Sequence, residues 1–249
     1  MKKIVVVLDS CRLDSYKGAN TKEIDQYIGK VIPSYTATNH TITSFMDFLY
    51  TNKMPQPVGK PNNPWFKKDF NYIENVDEPI YFFSDNAHLD PVNLHVKALL
   101  KMDIFKEYKV FEPWFGGCQK ILDAANKVDL GDDYFLILWF GETHQPFNYG
   151  KNINTGWKSF VKRVAGYNNG YNSITQKEMD VMHKRQEEAC GFIIQKLWNE
   201  FLHAHRDAEI VITSNHGESF GENHIYGHGN DIHKAQFLVP FVTNKKVKF

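Results

Sequence analysis

Cysteine is scarce in this chain, with three among 249 residues. So few, and an odd number, cannot form a fully paired disulfide framework, which excludes the small secreted scaffold and favours a reducing compartment. A cytoplasmic location is therefore expected. Net charge is also missing, since 29 Lys and Arg balance 29 Asp and Glu. Without excess positive charge nothing holds a nucleic-acid backbone or an anionic membrane non-specifically, and neither is expected as a partner. Long apolar runs are absent as well: none approaches the roughly 18 residues of a membrane helix. The run Ile4 to Leu8 meets Asp9 at once and lacks a cleavage site, so it reads as a buried strand rather than a leader. What remains, at 42% hydrophobic and 23% charged, has the composition of an ordinary globular protein. Histidine alone is conspicuous, with 11 copies.

Four apolar runs end in polar, chemically able residues. Ile4 to Leu8 leads to Asp9, Pro79 to Phe83 to Ser84-Asp85-Asn86, Tyr134 to Phe140 to Gly141-Glu142-Thr143-His144, and Glu209 to Thr213 to Ser214-Asn215-His216-Gly217. Uninterrupted apolar runs suit strands covered on both faces. Phe237 to Val242 is a further strand-like run. Helical spacing appears at Val92 to Leu100, at Gln119 to Val128 and most clearly at Thr175 to Arg206, where Met179, Met182, Ala189, Ile193, Leu197 and Phe201 form one apolar stripe. Strand alternating with helix predicts a three-layer α/β/α fold around a mostly parallel sheet. In such sheets ligands bind beyond the carboxyl ends of the strands, where all four polar endings gather. The stretches Met54 to Phe70 and Gly150 to Tyr171, rich in Pro or in Gly and Asn, read as irregular loops.

The densest chemistry lies in Ser214-Asn215-His216-Gly217-Glu218-Ser219-Phe220-Gly221-Glu222-Asn223-His224, followed by Tyr226-Gly227-His228-Gly229. Imidazole and carboxamide or carboxylate oxygens at a strand end can coordinate a divalent metal. Four histidines between His216 and His233 weigh against a plain surface loop. Cys11, following the first strand, reads as a small buried hydrophobe. Arg12 is expected to pair with Asp14 or a helix end, with reach to a phosphate. His183, His203 and His205 fall on or at the end of the long helix and read as solvated. Asp85, Asn86 and His88 end a strand and could touch a ligand. Glu142 could support a metal from behind or join His144 and His228 in a second site.

This segment resembles the late metal-binding motif of the alkaline phosphatase superfamily, in particular its sulfatase-like and phosphoglycerol-transferase-like branch, written S-D-H-G-E-x-x-G-E followed by H-G. Asp9-Ser10-Cys11-Arg12-Leu13-Asp14 resembles the end of that branch's first strand. Ser34-Tyr35-Thr36-Ala37-Thr38-Asn39-His40-Thr41 is similar to its nucleophile stretch T-x-P-S-H, and Gly141 to Phe147 to its H-x-P-F element. The resemblance implies a single catalytic domain over residues 1–249, with a C-terminus shorter than the family's. It implies a metal held by Asp9, Thr36, Asn215 and His216, with Thr36 also the nucleophile. Arg12, His144 and His228 would bind the substrate, His144 and His228 also acting on its oxygens or leaving group. One divalent ion is favoured over two, with Zn, Mn, Mg and Ca not distinguished.

The implied activity is metal-dependent hydrolysis or transfer of phosphate mono- or diesters, the partner being an anionic ester. Metal coordination would lower the pKa of a threonine hydroxyl that is otherwise a poor nucleophile. Two departures bear on this. Asn215 stands where the family has Asp, removing one negative ligand. Thr38 and Asn39 stand where Pro and Ser are usual, which leaves Ser34, Thr38 and Thr41 as other candidate nucleophiles. The C-x-P-x-R or S-x-P-x-R sequence that yields formylglycine in sulfatases proper is absent. A silent relative that binds a phosphorylated or sulfated ligand, and a sulfate-ester or phosphonate hydrolase, are the rival readings.

Overall fold

The structure is a computed structural model and describes residues 1–36, 38–50, 76–92, 102–112, 115–149, 175–229 and 232–246, with the side chains of 46–50 excluded. The expected helix at Val92 to Leu100 and both loop stretches lie largely or wholly outside them.

Strand β1 (Lys2–Leu8) carries Val5, Val6 and Val7 between Ile4 and Leu8, β-branched residues that pack well on a pleated surface. It pairs in parallel with β5 (Tyr134–Phe140) on one side and β6 (Glu209–Thr213) on the other. Beyond β5 lie β3 (Ile80–Ser84) and β4 (Phe105–Val110), also parallel. Beyond β6 lie β9 (Leu238–Thr243), antiparallel to it, and β2 (Ile32–Tyr35), antiparallel to β9. The seven-stranded order is β2-β9-β6-β1-β5-β3-β4. A small hairpin of β7 (Ser219–Phe220) and β8 (Tyr226–Gly227) stands apart from it.

Because side chains alternate along a strand, β1 feeds two cores. Ile4, Val6 and Leu8 join Ile121, Leu122, Cys190, Ile193 and Leu197, which come from α4 (Cys118–Lys127) and α5 (Gln176–Glu200). Val5 and Val7 pack with Phe82, Ile137, Trp139 and Phe45, the last from α3 (Thr41–Tyr50). Helices thus lie on both faces of a mostly parallel sheet, the three-layer architecture expected. Short helices α1 (Leu13–Gly18) and α2 (Lys22–Tyr27) continue from β1 and contact α5. The long stripe predicted for Thr175 to Arg206 is α5, opened by a Thr175–Glu178 capping box, followed by a 3₁₀ turn at Leu202–His205.

Candidate active site

The carboxyl ends of β1, β3, β5 and β6 bring their polar endings to one place. Asp9, fully buried just past β1, is the hub. Its Oδ2 accepts from Trp139 Nε1 at 2.8 Å and from Asn86 Nδ2, so β5 and the residues after β3 fix one carboxylate oxygen. Its Oδ1 accepts from Ser10 Oγ at 3.2 Å, Asn215 Nδ2 at 3.2 Å and Thr41 Oγ1 at 3.4 Å. Burial alone would raise its pKa, but the imidazoles of His144 and His216 and the donors Trp139 and Asn86 hold it below the ordinary value.

Thr41 opens α3 and is buried. Its Oγ1 lies 3.2 Å from His216 Nε2. His216 Nδ1 lies 2.8 Å from the Gly217 carbonyl, which only accepts, so Nδ1 carries the proton and Nε2 keeps its lone pair toward Thr41. Full burial, then the neighbouring His228, keeps His216 neutral well below the usual imidazole pKa. Gly217 is required by its neighbour: a Cβ there would stand 2.1 Å from the Ala235 carbonyl.

Thr36, the expected nucleophile and ligand, bonds the main chain of Asn215 rather than the side chains of Asp9 or His216. Its hydroxyl donates to the main-chain carbonyl of Asn215 at 2.6 Å, beside Ser44 Oγ at 2.8 Å on the same acceptor. It ties the end of β2 to the residues after β6, and Thr41 is the hydroxyl brought among Asp9, Asn215 and His216. Thr38 is bonded to Ser44 and Thr43, and Ser34 lies within β2. The signal for Thr41 was present: Ile42, Phe45 and Leu49 set a helical register that starts a helix at this residue, where a free N-terminus favours negative charge.

Arg12 does not face this centre. Its guanidinium gives Nε and Nη2 to Asp14 at 2.7 and 2.6 Å and Nη1 to Glu222, and lies 5.2 Å from the Phe220 ring centroid. The two carboxylates neutralise it, and it clamps the β1 loop to the β7–β8 hairpin.

The remaining imidazoles form a row of touching rings. His228 stands 4.3 Å from His216 and 5.3 Å from His144, and His144 stacks on Phe115 at 4.5 Å. Both Glu218 oxygens lie 3.1 to 3.2 Å from His228 Nδ1. Burial would lower the His228 pKa, but the charge and hydrogen bond of Glu218 outweigh it and raise it above the usual value. His144 is lowered, chiefly by burial, and holds its Nδ1 proton on the Gln145 carbonyl at 2.6 Å. His40 and His88 are exposed. Glu142 Oε1 accepts from Cys118 N at 2.6 Å at the start of α4. Trp139, Phe115 and Glu218 are not singled out as site residues by the sequence, and each acts through a partner that only the fold supplies; Asn86, expected to touch a ligand, instead bonds Asp9.

Among the described residues no group of three or more His, Cys, Asp and Glu side chains is placed to hold a metal. The donor set that converges here includes a hydroxyl. Asp9 Oδ1, Thr41 Oγ1 and His216 Nε2 stand 3.2, 3.4 and 4.0 Å apart. Bonds of about 2.0–2.1 Å in a tetrahedral site give donor separations of about 3.3 Å, which the two separations to Thr41 match and the 4.0 Å from His216 to Asp9 exceeds, so a small divalent ion would draw those two side chains together.

No family model matches the sequence, and no curated protein matches it. Solved structures do. The C-terminal periplasmic domain of the phosphoethanolamine transferase EptC from Campylobacter jejuni matches over 98% of this chain and 79% of its own, at 14% identity and a TM-score of 0.65. The phosphonate monoester hydrolase of Agrobacterium radiobacter matches over 98% and 68%, at 13% identity and 0.66. The Escherichia coli EptC periplasmic domain, in complex with Zn, matches over 97% and 72%, at 12% identity and 0.62. These are sulfatase-like domains of the alkaline phosphatase superfamily, and this chain has their fold. The cytoplasmic location expected from cysteine usage is contradicted by the periplasmic domains among them. Cys11, Cys118 and Cys190 are all free and buried, and thiols used as small hydrophobes carry no information about compartment.

Proposed function

We propose that the protein transfers or hydrolyses an anionic phosphoric ester, with Thr41 as the nucleophile. The observation that carries this is the position of Thr41 Oγ1, buried at the start of α3 and 3.2 Å from the unprotonated nitrogen of His216. The neighbours named above, transferases of phosphoethanolamine and hydrolases of phosphonate monoesters by their names, support phosphorus as the reacting centre. The Zn-bound domain and the three converging donors support a divalent cation at Asp9, Thr41 and His216. When bound, such an ion lowers the pKa of the threonine hydroxyl and offsets negative charge on the phosphoryl oxygens.

The residues account for the bond changes. The Thr41 hydroxyl gives up its proton to solvent, a loss that a bound cation would favour, and Oγ then forms a bond to phosphorus as the bond to the leaving oxygen breaks, giving a phosphothreonine. The α3 N-terminus favours the charge that gathers on the phosphoryl group. His228, kept protonated by Glu218, is the group suited to give the leaving oxygen its proton. His144, with Nδ1–H held by Gln145, presents Nε2 as an acceptor for a substrate hydroxyl or ammonium group. A second substrate, water or an alcohol, then takes the phosphoryl group from Thr41 with His228 acting as base.

The test is turnover of an aryl phosphodiester and an aryl phosphonate monoester by Thr41→Ala beside Thr36→Ala. Thr41→Ala should lose at least about a thousandfold in kcat, in line with removal of other enzymatic nucleophiles. Thr36→Ala should retain measurable turnover. Full activity in Thr41→Ala refutes the assignment.

A further inference from the structure

The side chain of Asn215 is oriented by what surrounds it. Ser10 adopts a left-handed conformation, φ 58°, which turns its N–H onto Asn215 Oδ1 at 2.9 Å. That N–H is buried and needs an acceptor, so the amide oxygen is committed to it. The other end of the amide meets Asp9 Oδ1 at 3.2 Å and Thr41 Oγ1 at 3.4 Å. Asp9 is a carboxylate, which only accepts. Turning the amide over would set two donors together at Ser10 and two acceptors together at Asp9. Both neighbours therefore select the same orientation, with the NH₂ group facing the centre.

We infer that Asn215 is not a metal ligand but a hydrogen-bond donor, which holds Asp9 and Thr41 together from the position where an aspartate would offer a fourth ligand. This rests on the cation of the proposed function being held by Asp9, Thr41 and His216. An amide NH₂ has no lone pair to give a cation and points its hydrogens at the space an ion occupies. The donor from Asn215 to Asp9 Oδ1 competes with the ion for that oxygen. An Asp at 215 would accept from Ser10 with one oxygen and turn the other on the centre.

The test is titration calorimetry of the chelator-treated full chain with Zn²⁺ and, separately, Mn²⁺, on wild type, Asn215→Ala, Asn215→Asp and Asp9→Ala. Loss of a competing donor leaves Kd unchanged or lower in Asn215→Ala, within about threefold on the weak side, whereas Asn215→Asp tightens binding at least about tenfold. In chelator the paired carboxylates of Asn215→Asp should lower the thermal midpoint, and Zn²⁺ should raise it further than in wild type. Asp9→Ala should abolish binding. Should Asn215→Ala fail to fold, Asn215→Leu, of similar shape and without donor or acceptor, takes its place. Weakening beyond about threefold in the Ala or Leu variant overturns the inference and leaves the cation reading standing. A wild type that binds no ion while Asn215→Asp does supports the inference and removes the cation from the proposed function. Absence of binding by both overturns the two together.

Discussion

Thr36 and Thr41 are five residues apart and of one type, yet their hydroxyls have different partners. Thr36 spends its proton on a main-chain carbonyl, and Thr41 meets a ring nitrogen with a lone pair. Charge is divided by the same local logic. Asp85 accepts from the N–H groups of Gly116, Gly117 and Gly141 at 2.6 to 2.7 Å, but burial prevails and lifts it to about 6. Glu142, fully buried with Oε2 unpartnered, is raised well above its usual value, first by burial and then by Asp85. A carboxyl whose folded pKa lies above its unfolded one stabilises the fold while protonated and loses that contribution as pH rises. Glu142→Gln, neutral at every pH, should therefore be more stable than wild type at pH 7. The advantage should vanish near pH 4, about where the unfolded carboxyl also takes its proton. Urea unfolding across this range measures it, and a pH-independent difference would show that folding does not shift the Glu142 pKa. Asp9, His144, His216 and His228 were legible as candidates because each follows an apolar strand or closes a glycine-flanked motif. Thr41 was one of several hydroxyls in a row, and only the start of α3 distinguishes it.

At the level of elements, the site depends on one amide from the long helix. Gln186 of α5, fully buried, accepts from Arg12 N at 3.2 Å and Ser15 Oγ at 2.7 Å, and donates to the carbonyls of Ser10 and Thr143 at 2.9 Å each. It links the loop after β1, with Asp9 and Ser10, to the loop after β5, with His144. Gln186→Leu leaves these four groups without partners and should cost about 3 kcal/mol or more, lowering the thermal midpoint by roughly 6–12 °C. A shift under ~2 °C would mean that water or rearrangement replaces the amide. The central strands were readable because residues covered on both faces form unbroken apolar runs. Strands β2 and β4 were missed for the complementary reason. As sheet edges they carry Pro33 and Ser34, or Lys106, Glu107 and Lys109, and present mixed patterns that no buried-strand signal detects. His183 and His205 were read as solvated from helix position alone, yet one stacks on Phe220 and the other on Phe201.

At the scale of the molecule, strands from separate parts of the chain converge on Asp9, and the sheet's topology decides which oxygen faces Thr41 and His216. Trp139 and Asn86 occupy Oδ2 and leave Oδ1 toward Thr41 and His216. Trp139→Phe keeps an aromatic ring against Phe45, 5.4 Å away, and removes the Nε1 donor. Zn²⁺ binding should weaken about 10- to 100-fold, as for other groups that orient a ligand from behind, with little change in the unfolding midpoint. Unchanged affinity would show that Asn86 alone suffices. Arg12 is neutralised by Asp14 and Glu222, so under the proposed function the attraction for an anionic ester would fall to the centre itself.

The most direct measurement is acid quenching of the protein during turnover of an aryl phosphonate monoester or phosphodiester, followed by peptide mass spectrometry. A phosphorus adduct on Thr41, absent from Thr41→Ala, is the expected result. An adduct on Thr36, or sustained turnover by Thr41→Ala, would contradict it.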